Sequence, residues 1–340
     1  MTGSGGTQSA ATTSPRGETR HERSDVTARS DRPRVLNLVT SESARFFREQ
    51  RDELLVQGVE SESVEVPQPT PGRRSPVDYV RFGRRALARA SGEFDVVHAN
   101  YGLTAPAAFA ASRAAGNLPV VLSLWGSDLY GPASGLSRVC ARFADATIVM
   151  SERMARDLDQ SCFVIPHGID TEKFYPREQG NARADVGWAD DRRHVLFPYG
   201  TDRDVKDYPR ARRVADRAAE MVDAPVELQT VTGVSHAGMN AYYNAADALL
   251  LTSKREGSPN AVKEALAADA PVVATDVGDV RERLEGVTPA FVGDDDAELT
   301  AALARILRSG ERSNGRTVVA SECSVETMAE RIREVYRRVR

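Results

Sequence analysis

From residue 34 onward, short uninterrupted apolar runs alternate with longer stretches in which apolar positions recur every three or four residues. Val64-Glu65-Val66 reads as a short strand, and the runs at 35–39, 95–98, 120–124, 147–150 and 163–165 lack the polar alternation of a half-exposed strand. They read as strands buried on both faces. The stretches between them read as helices, such as 45–56, which closes at Gly58. Repeated strand and helix of this kind predict a doubly wound parallel sheet. A second such unit opens at 194–199, continues through 226–229, 248–251, 271–275 and 290–292, and ends in a helix over 325–339. The expected class is α/β, with two Rossmann-like parallel-sheet domains facing a cleft, the natural place for a ligand. The expected divisions are a disordered tail over 1–31, a first domain over 32–165, a Gly-, Asp- and Pro-rich linker over 166–193, a second domain over 194–322, and a final helical segment over 323–340.

Composition narrows the class. The 340 residues leave room for two α/β domains of ordinary size. A net charge of -4 gives no basic footprint for nucleic acid. Lysine occurs only at 173, 206, 254 and 263 amid abundant arginine, which draws attention to Lys206. Cys140, Cys162 and Cys323 lie too far apart for a metal or redox spacing. No apolar run approaches the ~20 residues that span a bilayer. The first thirty or so residues lack the apolar core of a signal peptide, so a cytoplasmic protein is expected.

The candidate chemistry lies between two strands of the second unit, in Thr252-Ser253-Lys254-Arg255-Glu256-Gly257-Ser258-Pro259-Asn260-Ala261-Val262-Lys263-Glu264. Ser258 suits a helix N-cap and Pro259 the first helical position, leaving the amides of Asn260, Ala261 and Val262 without helical partners. A helix start at the carboxyl end of a parallel strand holds anions, phosphates above all. Glu256 precedes that cradle and Glu264 lies about two turns along the helix. A nucleotide sugar carries a diphosphate between two hydroxyl-rich rings, and two carboxylates flanking a phosphate cradle fit it.

This segment resembles the donor-site signature of the retaining family 4 glycosyltransferases, which have the GT-B fold. There, Glu, seven residues and Glu precede a Gly/Ala-Pro-Val-Val strand and an Asp-Val-Gly-Gly turn. The turn here is Asp276-Val277-Gly278-Asp279, with Asp279 in place of the second glycine. The resemblance implies that Glu256 contacts the transferred sugar and Glu264 the ribose hydroxyls, with Gly257 and residues 258–262 around the donor. It also implies that Arg203 and Lys206, in the loop 200–207, hold the diphosphate and stabilise charge on the leaving group. Their spacing is shorter than the common family version. Val164-Ile165-Pro166-His167-Gly168-Ile169-Asp170 is similar to the family's interdomain segment, with Gly168 letting the chain turn. The implied enzyme is a hexosyltransferase of polysaccharide biosynthesis acting by front-face displacement. It would need no metal or other cofactor, would use a glycan or lipid-linked acceptor, and its last helix would return to the first domain.

Three first-domain positions are candidates for acceptor or sugar contact. His98 and Asn100 occupy the places of the family's His-x-His, although an Asn cannot act as a base. His98 reads equally as a buried strand histidine. Asp128, in Trp125-Gly126-Ser127-Asp128, reads either as an acceptor ligand or as a cap. The stretch 79–90 is basic and amphipathic, with apolar positions 79, 80, 83, 86, 87 and 90. It reads as a sheet-covering helix or as a peripheral contact with the inner face of the membrane. Asp294-Asp295-Asp296 mimics the metal motif of single-domain transferases but stands where a helix cap is expected. No Gly-x-Gly-x-x-Gly follows a strand and no Gly-Lys-Ser/Thr occurs, which argues against a dehydrogenase or a P-loop enzyme. The rival readings are a nucleotide-sugar-binding subunit without transfer activity and a sugar-nucleotide epimerase of the same fold.

Overall fold

The computed structural model describes Met1, residues 32–69 and residues 74–340. Apart from Met1, the tail expected over 1–31 lies outside the described residues. The first sheet contains β1 (Arg34–Val39), β2 (Glu60–Glu65), β3 (Val96–Ala99), β4 (Val120–Leu124), β5 (Ala146–Val149) and β6 (Phe163–Val164). The second contains β7 (Arg193–Phe197), β8 (Val226–Thr230), β9 (Ala248–Leu251), β10 (Val272–Ala274) and β11 (Ala290–Val292). Both are parallel, in the orders β2-β1-β3-β4-β5-β6 and β11-β10-β9-β7-β8. Strand order reverses at β1 in one sheet and at β7 in the other. The loops leaving β1, β3, β7 and β9 therefore border the crevices where doubly wound sheets bind ligands. The chain has the expected α/β class, with two Rossmann-like domains.

Strands covered by helices on both faces, such as β4 and β9, are buried at every position, which is why their sequences are uninterrupted apolar runs. The strand expected at 64–66 instead starts at Glu60. Its first four residues, Glu60-Ser61-Glu62-Ser63, form a polar edge strand with every second residue exposed, so an apolar side chain, Val64, marks only its end. The supposed linker 166–193 holds the helix Gln179–Val186, which packs on the helix Met239–Ala245. Polar anchoring hides this segment from a hydropathy reading: Arg183, though buried, pairs with Asp247 at 2.7 Å.

The terminal helix Val325–Val339 buries Met328, Ala329, Ile332, Val335 and Tyr336 in the core of the first domain and packs on the helix Arg45–Val56. The chain thus crosses between domains twice, and the crossings run side by side. Ile169 N donates to Cys323 O at 2.7 Å, and Val325 N donates to Ile169 O at 3.2 Å. A Cβ on Gly168 would lie 2.6 Å from both Ser324 O and Val325 Cα. Gly168 therefore serves close backbone approach, not the turn expected of it. In the helix Pro76–Arg89 the inward residues are Asp78, Phe82 and Ala86. The stripe read from the sequence is displaced, because Val80 and Leu87 point outward and Phe82 is the anchor. Among the described residues no helix is long and apolar enough to cross a membrane.

Candidate active site

Two cavities meet at the mouth of the second sheet. One, of about 510 Å³, is bordered by Tyr199 after β7, Thr232 and His236 after β8, and residues 258–261 with Glu264 after β9. The other, of about 480 Å³, lies between Tyr101, Trp125 and Tyr130 of the first domain and Arg203, Arg255 and Gly257 of the second. Lys206 and Glu256 line both.

These two side chains form an ion pair, Lys206 Nζ donating to Glu256 Oε1, and the ammonium stands 4.0 Å above the ring centroid of Tyr199. Burial pulls the Lys206 pKa down, against the attraction of Glu256. The loops that carry the pair are stitched together: the Thr252 hydroxyl donates to Lys206 O at 3.1 Å, and Lys254 N to Val205 O at 2.9 Å. Glu264 reaches the first cavity from the helix Asn260–Ala267. Its carboxylate accepts from His236 Nε2 and Tyr243 Oη, each at 2.8 Å, with Arg45 Nη1 at 3.4 Å. Burial opposes its ionisation, but His236, Arg45 and Tyr243 together hold its carboxyl below the ordinary range.

The helix start differs from the expected one. Pro259 takes the cap position and Asn260 opens the helix. Ser258 is drawn away from capping, its Oγ donating to Asp279 Oδ2 at 2.8 Å and accepting from Lys263 Nζ at 2.9 Å. Lys263 is fully buried and also donates to His167 O at 2.7 Å, tying the loop before this helix to the domain crossing. Val262 N donates to Pro259 O at 3.1 Å, so this amide is not free for a ligand, whereas Asn260 and Ala261 line the cavity. Gly126, Gly257 and Gly278 stack beside Glu256. Gly278, with φ of 61°, packs on the Gly257 carbonyl, and a Cβ on Gly257 would stand 3.1 Å from Trp125 O of the other domain.

The sequence model described as Glycosyltransferase Family 4 matches residues 28–173, and that described as Glycosyl transferases group 1 matches residues 206–309. The chain belongs to glycosyltransferase family 4. It is 27% identical over 212 residues to TuaC of Bacillus subtilis, assigned to teichuronic acid biosynthesis as a glycosyltransferase. That alignment covers 55% of this chain and 54% of TuaC, so the chain spans about half the length of this curated relative. Sucrose-phosphate synthase from Thermosynechococcus elongatus superposes with a TM-score of 0.70 at 18% identity, over 91% of this chain and 99% of that one. Anabaena HepE in complex with UDP superposes with a TM-score of 0.66 at 17% identity, over 89% and 99%. These two likenesses concern the fold, which is GT-B.

Within this family 4 frame, the expected site residues divide. Lys206, Glu256, Ser258, Pro259, Asn260, Ala261 and Glu264 converge on the first cavity, while Gly257 and Arg203 line the second. Arg203 lies 5.7 Å from the Tyr199 ring centroid and does not reach the cavity where the diphosphate was expected. The three first-domain candidates are interior. His98 has no exposure and bonds through Nδ1 to Tyr336 Oη at 2.7 Å and through Nε2 to Ser123 Oγ at 2.8 Å. Burial lowers its pKa to about 3, so it is neutral at pH 7. Asn100 binds Gln50 and Asn37. Asp128 accepts from Trp125 N, Gly126 N and Gly102 N, the cap reading of this residue. Asp295 likewise caps, accepting from Ala297 N and Glu298 N. Sequence reasoning missed Arg45, His236 and Tyr243. Their usable signals were a cation on the first position of a helix and a histidine in the Gly- and Ser-containing loop at a strand's carboxyl end.

Proposed function

We propose that the protein is a retaining glycosyltransferase that moves a sugar, of hexosyl type, from a nucleoside-diphosphate sugar to a hydroxyl of a glycan or lipid-linked acceptor. The observation that carries this reading is the Lys206–Glu256 pair as the wall common to two cavities. The donor fits the first cavity, with its ribose on Glu264 and its diphosphate between Lys206 and the helix start. The acceptor enters the second, where Tyr101, Trp125 and Tyr130 offer ring faces of the kind that sugars stack on. The reacting bond then falls beside Glu256, which holds the transferred sugar, while Lys206 stabilises charge on the departing phosphate. With these cationic and amide groups around the diphosphate, no metal or further cofactor is assigned a role. A phosphate oxygen of the leaving group takes the acceptor proton on the same face, which retains the anomeric configuration without a dedicated base. The UDP in the HepE structure and the glycan assignment of TuaC are in keeping with such substrates. We also propose that the protein works at the cytoplasmic side of the membrane, where sugar nucleotides are supplied.

Incubation with a panel of radiolabelled nucleotide sugars tests the reading. Transfer to an added saccharide, or slow release of free sugar by transfer to water, is the expected result. Binding without either would favour a non-catalytic subunit, and an isomerised donor would favour an epimerase.

A further inference from the structure

Arg45 comes from the first domain, yet it lines the first cavity beside Glu264, Lys206 and the start of the helix Asn260–Ala267. It opens the helix Arg45–Val56, whose first turn holds no acidic residue. A cation there is disfavoured by the partial positive charge of the helix N-terminus, so local helix chemistry does not account for it. What Arg45 gains is Glu264, 3.4 Å away across the domain boundary. Two residue pairs therefore set cations against carboxylates in this cavity, Lys206 with Glu256 and Arg45 with Glu264, the second carboxylate also accepting from His236 at 2.8 Å.

We propose that Arg45 is a donor-diphosphate ligand supplied by the first domain, taking the place expected of Arg203; this rests on the donor reading above. The donor brings two negative charges in its centre and hydroxyls at both ends. Each carboxylate can exchange its cation for sugar hydroxyls, and each cation its carboxylate for a phosphate oxygen. The number of charge-assisted contacts is kept, and both partners of each broken pair are satisfied again. Because Arg45 and Lys206 stand on different domains, the diphosphate they share draws the two domains together over it. Glu49, one turn further along the same helix, supports the arrangement by meeting His236 Nδ1 at 3.6 Å and Lys173 Nζ at 3.2 Å.

Calorimetric titration of wild type, Arg45→Ala and Arg45→Lys with UDP, GDP, ADP, inorganic pyrophosphate and the matching nucleosides tests this. Melting temperatures serve as the check on folding. The expected result is a loss of about tenfold in affinity for the preferred nucleoside diphosphate and for pyrophosphate in Arg45→Ala, with part of it restored by Arg45→Lys. Binding of the bare nucleoside should hold or tighten, because Glu264 loses a competitor for the ribose. Diphosphate affinity that is unchanged or raised in Arg45→Ala overturns the role of Arg45 while leaving the donor site standing. A wild-type protein that binds none of the diphosphates overturns both.

Discussion

The second-domain wall of the cleft and the first-domain wall carry opposite kinds of polar residue. On the second-domain side, Lys206, Glu256 and Glu264 are partly or wholly withdrawn from water yet line open cavities. On the first-domain side, the histidine, asparagine and aspartate that the sequence offers are consumed by the scaffold. His98 is fixed by the terminal helix through Tyr336, Asn100 by Gln50 and Asn37, and Asp128 by three backbone amides. What this face presents instead is aromatic surface and one arginine. A polar residue at the end of a strand thus has two fates, and the motif alone does not choose between them. The choice lies in whether a third element covers it, as the terminal helix covers β3.

The difference can be broken at several points. The largest expected effect follows Lys206→Ala. If Lys206 serves the leaving group, its loss should lower transfer by roughly 10²–10³-fold and leave the partly buried Glu256 without its partner, so donor affinity should fall as well. Wild-type steady-state rates in that variant would move the reacting centre elsewhere. Next is Gly257→Val, which forces a side chain against the Trp125 carbonyl. Displacing the two walls by about 1 Å should lower transfer by about 10²-fold. Nucleoside diphosphate binding should fall less, by at most the roughly tenfold assigned to Arg45, because its other contacts lie on the second domain. Equal loss of both would mean that Gly257 only supports folding.

Acid sharpens the comparison. His98 and His167 are both held neutral by burial, with pKa values of about 3 against an ordinary 6.5. In this range the unfolded chain binds the additional protons. The stability tied to the two histidines is present above about pH 6.5 and should be lost at about 1.4 kcal/mol per pH unit for each as the pH falls. Glu264 is depressed, so its contribution is lost only as the pH drops below the ordinary carboxylate range. Urea midpoints from pH 7.5 to 4.5 should therefore register the first domain and the crossing before the second-domain wall of the cleft. A flat profile down to pH 5 would contradict the buried neutral histidines. The smallest effect is expected from Tyr336→Phe, which removes one hydrogen bond to His98: about 1 kcal/mol of stability, with the transfer rate unchanged at a permissive temperature. A rate loss larger than the stability loss would return His98 to the active site.

Most strands, the helix at 260 and the carboxylates around it were legible because a parallel sheet buried on both faces writes itself as apolar runs, and a ligand cradle must sit at their carboxyl ends. Three kinds of feature were not. The polar start of β2 has no apolar signature because its neighbour is solvent. The helix Gln179–Val186 is anchored by Arg183 on Asp247 instead of by an apolar stripe. Arg45 and His236 acquire their places only when two distant segments meet at Glu264, and no local spacing encodes that meeting. Asp279 was visible as a departure from the family turn, but its consequence, the removal of Ser258 from the cap, depends on Lys263 lying fully buried beside it.

The most direct test of the common wall is Glu256→Gln, assayed in parallel for sugar transfer and for nucleoside diphosphate binding by calorimetry. The substitution keeps the size and shape of the side chain and removes its charge. If Glu256 serves the transferred sugar, transfer should fall steeply while affinity for free nucleoside diphosphate, which has no sugar to touch, stays within a few-fold of wild type. Glu264→Ala in the same assay should instead weaken diphosphate and intact donor alike, by about 1–3 kcal/mol. A Glu256→Gln protein that transfers sugar at the wild-type rate would contradict the assignment.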